Sequence, residues 1–94
     1  MIKSLKDKLT QDVFDGTNSR ESRKLGSDLH KVARRKLDYT NGAKTLLDLR
    51  IPPGNRLEAL QGNLKGYHSI RINDQWRIVF RWEVGNAFEV EIED

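Results

Sequence analysis

The sequence predicts an α+β domain: a small, twisted antiparallel sheet of four to five strands, mixed at its edge, with two to three N-terminal helices on one face. Two patterns and a boundary between them lead there. Apolar residues of the first half recur at helical spacing, and those of the second half alternate with polar ones. Pro52 and Pro53 stand where one pattern gives way to the other. At 94 residues the chain suits one domain spanning 1–94, with a single core and space for a surface cleft only.

Ile2-Lys3-Ser4-Leu5 reads as a short first strand, and Lys8 to Phe14 as a helical turn whose Leu9, Val13 and Phe14 share a face. Gly16-Thr17-Asn18-Ser19 breaks the chain, and Gly16 with Gly26 predicts a loosely held stretch from residue 15 to 26. The strongest helix follows. Ser27 is its expected N-cap, Leu29, Val32, Ala33 and Leu37 its inner face, and Lys31, Arg34, Arg35 and Lys36 an outward stripe that is either solvated or set against phosphate. A start near Ser19 is the alternative, which Gly26 disfavours.

Tyr39-Thr40-Asn41-Gly42 reads as a turn, with Asn41 capping a short second helix that points Ala43, Leu46 and Leu47 inward. Ile51-Pro52-Pro53-Gly54-Asn55 ends the helices, because proline lacks the backbone donor and holds its predecessor extended. From Arg56 to Trp82 three short strands follow, divided by turns at Gln61-Gly62-Asn63 and Asn73-Asp74-Gln75. In the third, Trp76, Ile78, Phe80 and Trp82 face one way and Arg77, Val79 and Arg81 the other. Val84-Gly85-Asn86 then turns into a last strand in which Phe88, Val90 and Ile92 alternate with Glu89, Glu91 and Glu93.

Composition narrows the chemistry. There is no cysteine and there are only two histidines, so disulfides and thiolate zinc sites are excluded, and neither a metal nor a cofactor is expected. The net charge of +3 fits a polyanionic partner as well as it fits simple solubility. No apolar run approaches the ~20 residues of a membrane span, and the first residues show no secretory core, so a cytoplasmic protein without membrane contact is expected.

The open sheet face is the candidate site. Glu58 and Arg77 are polar residues inside strand patterns, with His68, Arg71, Arg50, Arg56 and Lys65 near them in sequence. A carboxylate among cations stays ionised at neutral pH and can take a proton while the cations hold a phosphate. An exposed glutamate beside an arginine is also the commonest kind of surface ion pair, worth ~0–1 kcal/mol. His68, between Tyr67 and Ser69, reads as a packed strand residue or as a general acid. Trp76, Phe80 and Trp82 read as core, or as a surface on which a base stacks.

These residues also carry a family resemblance. Arg56-Leu57-Glu58-Ala59-Leu60, Gly62-Asn63, Gly66-Tyr67-His68-Ser69-Ile70-Arg71 and Asn73-Asp74-Gln75-Trp76-Arg77-Ile78-Val79-Phe80 resemble toxins of the RelE superfamily. The HigB branch of type II toxin–antitoxin systems is the most similar, and Asp48-Leu49-Arg50-Ile51-Pro52-Pro53-Gly54-Asn55 and Val90-Glu91-Ile92-Glu93-Asp94 fit it. The resemblance covers the second half with specific motifs and the helical half in outline.

It implies a ribosome-dependent endoribonuclease that cuts messenger RNA in the ribosomal A site. It also implies a HigA-like helix-turn-helix antitoxin that neutralises the toxin, represses the shared operon and so provides the only link to operator DNA. Glu58 falls where relatives carry their catalytic glutamate, some HigB toxins having a histidine there. Arg77 falls where the superfamily carries a phosphate-contacting arginine, and His68 near an active-site lysine. HigB relatives usually finish Asp-Tyr-His and this sequence stops at Asp94, so it lacks the tyrosine and histidine that would stack a base and donate a proton.

The expected mechanism has Glu58 as general base, Arg77 on the developing phosphorane charge, and Arg50, Arg56, Lys65 and Arg71 on the RNA backbone. His68 or water remains to protonate the leaving oxygen. The rival expectation is a noncatalytic module that binds RNA, the ribosome or an antitoxin.

Overall fold

The chain passes from helix to sheet at the two prolines. The computed structural model describes all 94 residues. Helices α1 (Lys8–Asp15) and α2 (Ser27–Gly42) precede strands β1 (Glu58–Ala59), β2 (Tyr67–Arg71), β3 (Arg77–Glu83) and β4 (Asn86–Glu93), which form one antiparallel sheet in the order β1-β2-β3-β4. The N-terminal residues run parallel to β4 through bridges Ile2–Ala87 and Leu5–Val90, which gives the predicted mixed edge without a full strand. No helix is long and apolar enough to cross a membrane.

One sheet face is buried beneath the helices. Val13, Leu25, Ala33 and Leu37 meet Ile70, Ile72, Ile78, Phe80, Val90 and Ile92 there, with Trp76 and Trp82 packed half-buried at the margin. Polar bonds fix the helices in register. The Asp7 carboxylate caps α1 by accepting from the Thr10 amide at 2.9 Å, and the buried Thr10 hydroxyl accepts from the Ile92 amide at 2.9 Å. Between the helices, Asp12 accepts from the Ser19 hydroxyl at 2.6 Å, and Arg34 reaches back to the Val13 carbonyl at 3.1 Å.

Several predicted elements shift, each for a physical reason. Gly26 (φ 88) rather than Ser27 is the N-cap of α2, and Tyr39-Thr40-Asn41-Gly42 is its last turn rather than a loop. Thr40 belongs to the buried face and donates to the Lys36 carbonyl, while the side-chain Oδ1 of Asn41 accepts from the Ile2 amide instead of capping a second helix. That expected helix is a single 3₁₀ turn, Leu46–Arg50, closed by a capping box of Thr45 and Asp48. Its buried residue is Leu49, whereas Leu47 is exposed. Lys36 is not part of an outward stripe: positions 33, 36, 37 and 40 make one helix face, and Lys36 is only 6% exposed.

The sheet departs in two places. Arg56 adopts a left-handed backbone (φ 46), so the strand expected from Arg56 begins only at Glu58. In β4, Glu89 (φ 52) and Val90 together lie opposite Phe80, a bulge that reverses the alternation. Ala87 takes the buried position and Phe88 turns to the open face, away from Val90 and Ile92.

Candidate active site on the open sheet face

Strand pairing decides which side chains meet on the face that the helices leave bare. Glu58 lies opposite Ser69, and Ser69 opposite Val79; one step along, Arg71 lies opposite Arg77, and Arg77 opposite Glu93. Arg77 leans across β2 towards β1. Its Nε donates to the Ser69 hydroxyl at 2.9 Å, and its Nη2 donates to the Arg56 carbonyl at 3.0 Å. The same Nη2 stands 3.8 Å from Glu58 Oε1.

Two directional bonds therefore fix the guanidinium, while the carboxylate beside it is held only loosely. Ser69 is buried and the side chain of Glu58 is 60% exposed, so the anchor lies inside and the acid outside. An ion pair of that length between accessible groups adds ~0–1 kcal/mol, which leaves Glu58 available to a ligand.

The pair opens on a hollow of about 350 Å³. Arg56, Arg71 and Arg77 line it, and so do the carboxylates of Glu58, Asp74, Glu93 and Asp94. With three guanidinium groups against four carboxylates, the hollow is of mixed charge and not basic. Asp74 already occupies Arg71 in an ion pair, and that guanidinium, with help from Arg56, holds the Asp74 carboxyl below the usual carboxylate range. A phosphate entering here competes with Asp74 for Arg71, whereas at Arg77 it meets only the long contact to Glu58.

Of the residues singled out from sequence, the fold gathers Glu58, Arg77, Arg56 and Arg71 in this hollow. It does not bring His68 to them. His68 pairs with Ala59 and Phe80 on the buried side of the sheet, its ring 6.1 Å from that of Phe80, and burial lowers its pKa below the ordinary value. As general acid at the Glu58–Arg77 site it is on the wrong face. Lys65 lines a second hollow together with His68 and Tyr67, and Arg50 is exposed at the end of the 3₁₀ turn and lines neither.

Two contributors escaped the sequence reading. Ser69 anchors Arg77, and its parity with Arg71 against Ile70 and Ile72 places it on the open face. Asn73 shapes the rim by accepting from the Gln75 and Trp76 amides at 2.9 and 2.7 Å. No three of the acids and imidazoles converge so as to hold a metal ion.

A family model described as the RelE-like toxin of type II toxin-antitoxin system HigB matches residues 3–93. The chain belongs to the HigB-like toxin family. Toxin HigB-1 of Vibrio cholerae serotype O1 is 39% identical over 93 residues, which are 99% of this chain and 96% of that protein. An uncharacterised protein of Haemophilus influenzae is 42% identical over 60 residues, 64% of this chain and 59% of its own length. The HigB-like match takes in both helices and the whole sheet, and hence every residue of the hollow except Asp94. As a HigB-like chain it is the toxin half of a toxin–antitoxin pair, and an antitoxin is the partner that membership implies.

Proposed function

We propose that this HigB-like toxin is a ribosome-dependent endoribonuclease that cuts messenger RNA in the A site without a cofactor. The observation that carries it is the placement of an accessible carboxylate, Glu58, 3.8 Å from a guanidinium that Ser69 and the Arg56 carbonyl hold in place. Glu58 takes the proton of an RNA 2′-hydroxyl, and the oxygen so released attacks the adjacent phosphorus. Arg77, already oriented, stabilises the charge that develops on the phosphorane oxygens, a role in which a preorganised donor is worth most. The bond to the 5′-oxygen breaks and leaves a 2′,3′-cyclic phosphate. With His68 on the buried face, water supplies the leaving oxygen's proton.

Arg56 and Arg71 hold the backbone on either side, Arg71 after exchanging Asp74 for phosphate. Arg50 and Lys65, outside the hollow, add salt-dependent attraction at longer range. A HigA-like helix-turn-helix antitoxin, encoded beside the toxin in the cytoplasm of the host, neutralises the toxin and represses their operon; operator DNA is reached through the antitoxin alone.

Expression tests this directly. With the neighbouring antitoxin absent, the chain arrests growth and messages on translating ribosomes acquire new ends; with it present, neither happens. The second reading, a noncatalytic RNA-binding module, is favoured by the four carboxylates in the hollow. It requires the Glu58→Gln protein to arrest growth as strongly as the wild type.

A further inference from the structure

Outside the hollow, the open sheet face carries a second cluster. Tyr67 on β2 lies opposite Arg81 on β3, and Arg81 opposite Phe88 on β4. Arg81 is four residues beyond Arg77 on the same strand, so both point to the same face, about 13 Å apart along it. Phe88 reaches this face only because of the bulge at Glu89; strict alternation would have buried it with Val90. The Arg81 guanidinium carbon sits 4.7 Å from the centroid of the Phe88 ring, and the same side chain is ion-paired to Glu83. The Tyr67 hydroxyl donates to the Glu89 carboxylate. All three side chains are half-exposed, and the helices cover only the opposite face.

We propose that Tyr67, Arg81 and Phe88 form a stacking platform for an unpaired RNA base, in line with the Glu58–Arg77 hollow. RNA bases stack both on guanidinium planes and on aromatic rings, and Arg81 and Phe88 put one of each side by side here. The charge of Arg81 also draws in the backbone that carries the base. The platform rests on the reading that RNA is what this face binds, and it adds a grip on an unpaired base about 13 Å along the strand from Arg77. The base comes either from the message or from ribosomal RNA. A cation–π contact that merely braces the β3–β4 hairpin accounts for the ring and the guanidinium but binds nothing.

The test uses a short single-stranded oligoribonucleotide made uncleavable by 2′-O-methyl groups and carrying 2-aminopurine, whose fluorescence falls on stacking. It is titrated alone and on ribosomes, with the fluorophore moved along the strand. For a message base, the wild type quenches one position, and Phe88→Ala abolishes the quenching and weakens binding roughly 5- to 150-fold. Phe88→Trp retains both. If no message position is quenched but Phe88→Ala loosens binding to ribosomes by the same factor, and Phe88→Trp restores it, the base is ribosomal.

Melting curves check folding, and Phe88→Leu, which keeps the bulk and removes the ring, replaces Phe88→Ala should that protein be unstable. A folded variant that binds both probes as tightly as the wild type overturns the platform. Cleavage separates the two ideas. A wild type that stacks the probe yet cuts no message sinks the nuclease and leaves the platform, while unchanged KM in Phe88→Ala sinks the platform and leaves the nuclease.

Discussion

Arg77→Lys separates a guanidinium that is positioned from one that merely supplies charge. In the wild type Nε is committed to Ser69 at 2.9 Å and Nη2 to the Arg56 carbonyl at 3.0 Å, which leaves the remaining donors free to face a phosphate. Lysine keeps the charge, but its donors radiate from one compact nitrogen and do not reproduce the planar fork that reaches Ser69, the Arg56 carbonyl and a phosphate at once. Ser69 is 1% exposed, and an unpartnered buried hydroxyl costs ~1–3 kcal/mol. Water reaches the vacated position, since the Arg77 side chain is 30% exposed, so about 1 kcal/mol of stability is lost. For a chain of this length that is a fall of about 4–8 °C in Tm.

The effect on catalysis is larger. Removing one preorganised donor from a developing oxyanion costs about 10²- to 10³-fold, and the retained charge puts Arg77→Lys near 10². Single-turnover cleavage of a message on programmed ribosomes, at saturating toxin, reads this value, with thermal unfolding run alongside. A rate within a few-fold of wild type would mean that charge suffices and that the Ser69 anchor has no bearing on the chemistry.

Removing the carboxylate tests the other half of the pair: Glu58→Ala should lower cleavage by about 10²- to 10⁴-fold. Melting should barely move, because its long exposed ion pair contributes little. Val84 and Gly85 form a two-residue hairpin loop with both φ positive (46 and 77), so Val84→Asn should raise stability by about 1 kcal/mol in denaturant titration. Lys36 sits on the buried face of α2, and burial, with the charges of Arg35 and Arg71, holds its pKa below 10.5, so burying its charged form costs stability. Lys36→Met should therefore be more stable than wild type at neutral pH, and wild type should gain on it as pH rises from the lowered folded pKa to 10.5, the gain levelling off above that. In hydrogen exchange the amides of Thr17 and Ser22, bonded to the Asp12 carbonyl at 2.8 Å and the Ser19 hydroxyl at 3.0 Å, should be protected. Free exchange there would bear out the expectation of a loose stretch from residue 15 to 26.

The sheet and its facing residues were legible because alternation is a local property. Ile78 and Phe80 are fully buried and Arg77 lies on the other face, as period two demands. The same rule, carried from Ile70 and Ile72 back to His68, was enough to place the histidine with the core and Ser69 with Arg71. The packed-strand reading of His68 follows from that rule, and its alternative as general acid rested on the family resemblance. Other features are not local. Nothing in Phe88-Glu89-Val90 announces a left-handed glutamate, so the residue that reverses β4 is invisible until the strand meets Phe80. Lys36 reads as polar and ends up inside because the spacing 33, 36, 37, 40 is set by what α2 packs on. Besides Glu58, the carboxylates of the hollow come from the Asn73-Asp74-Gln75 turn and from the end of β4 and the residue after it, which only the folded register brings beside Arg71 and Arg77.

The chemistry of the newly made RNA end is the sharpest probe of the Glu58–Arg77 pair. Messages cut on translating ribosomes by the wild type should end in 2′,3′-cyclic phosphate, and ribosomes given the Glu58→Gln protein should yield almost none. Ends bearing a free 3′-hydroxyl, or equal cutting by both proteins, would contradict a 2′-hydroxyl attack driven by this carboxylate.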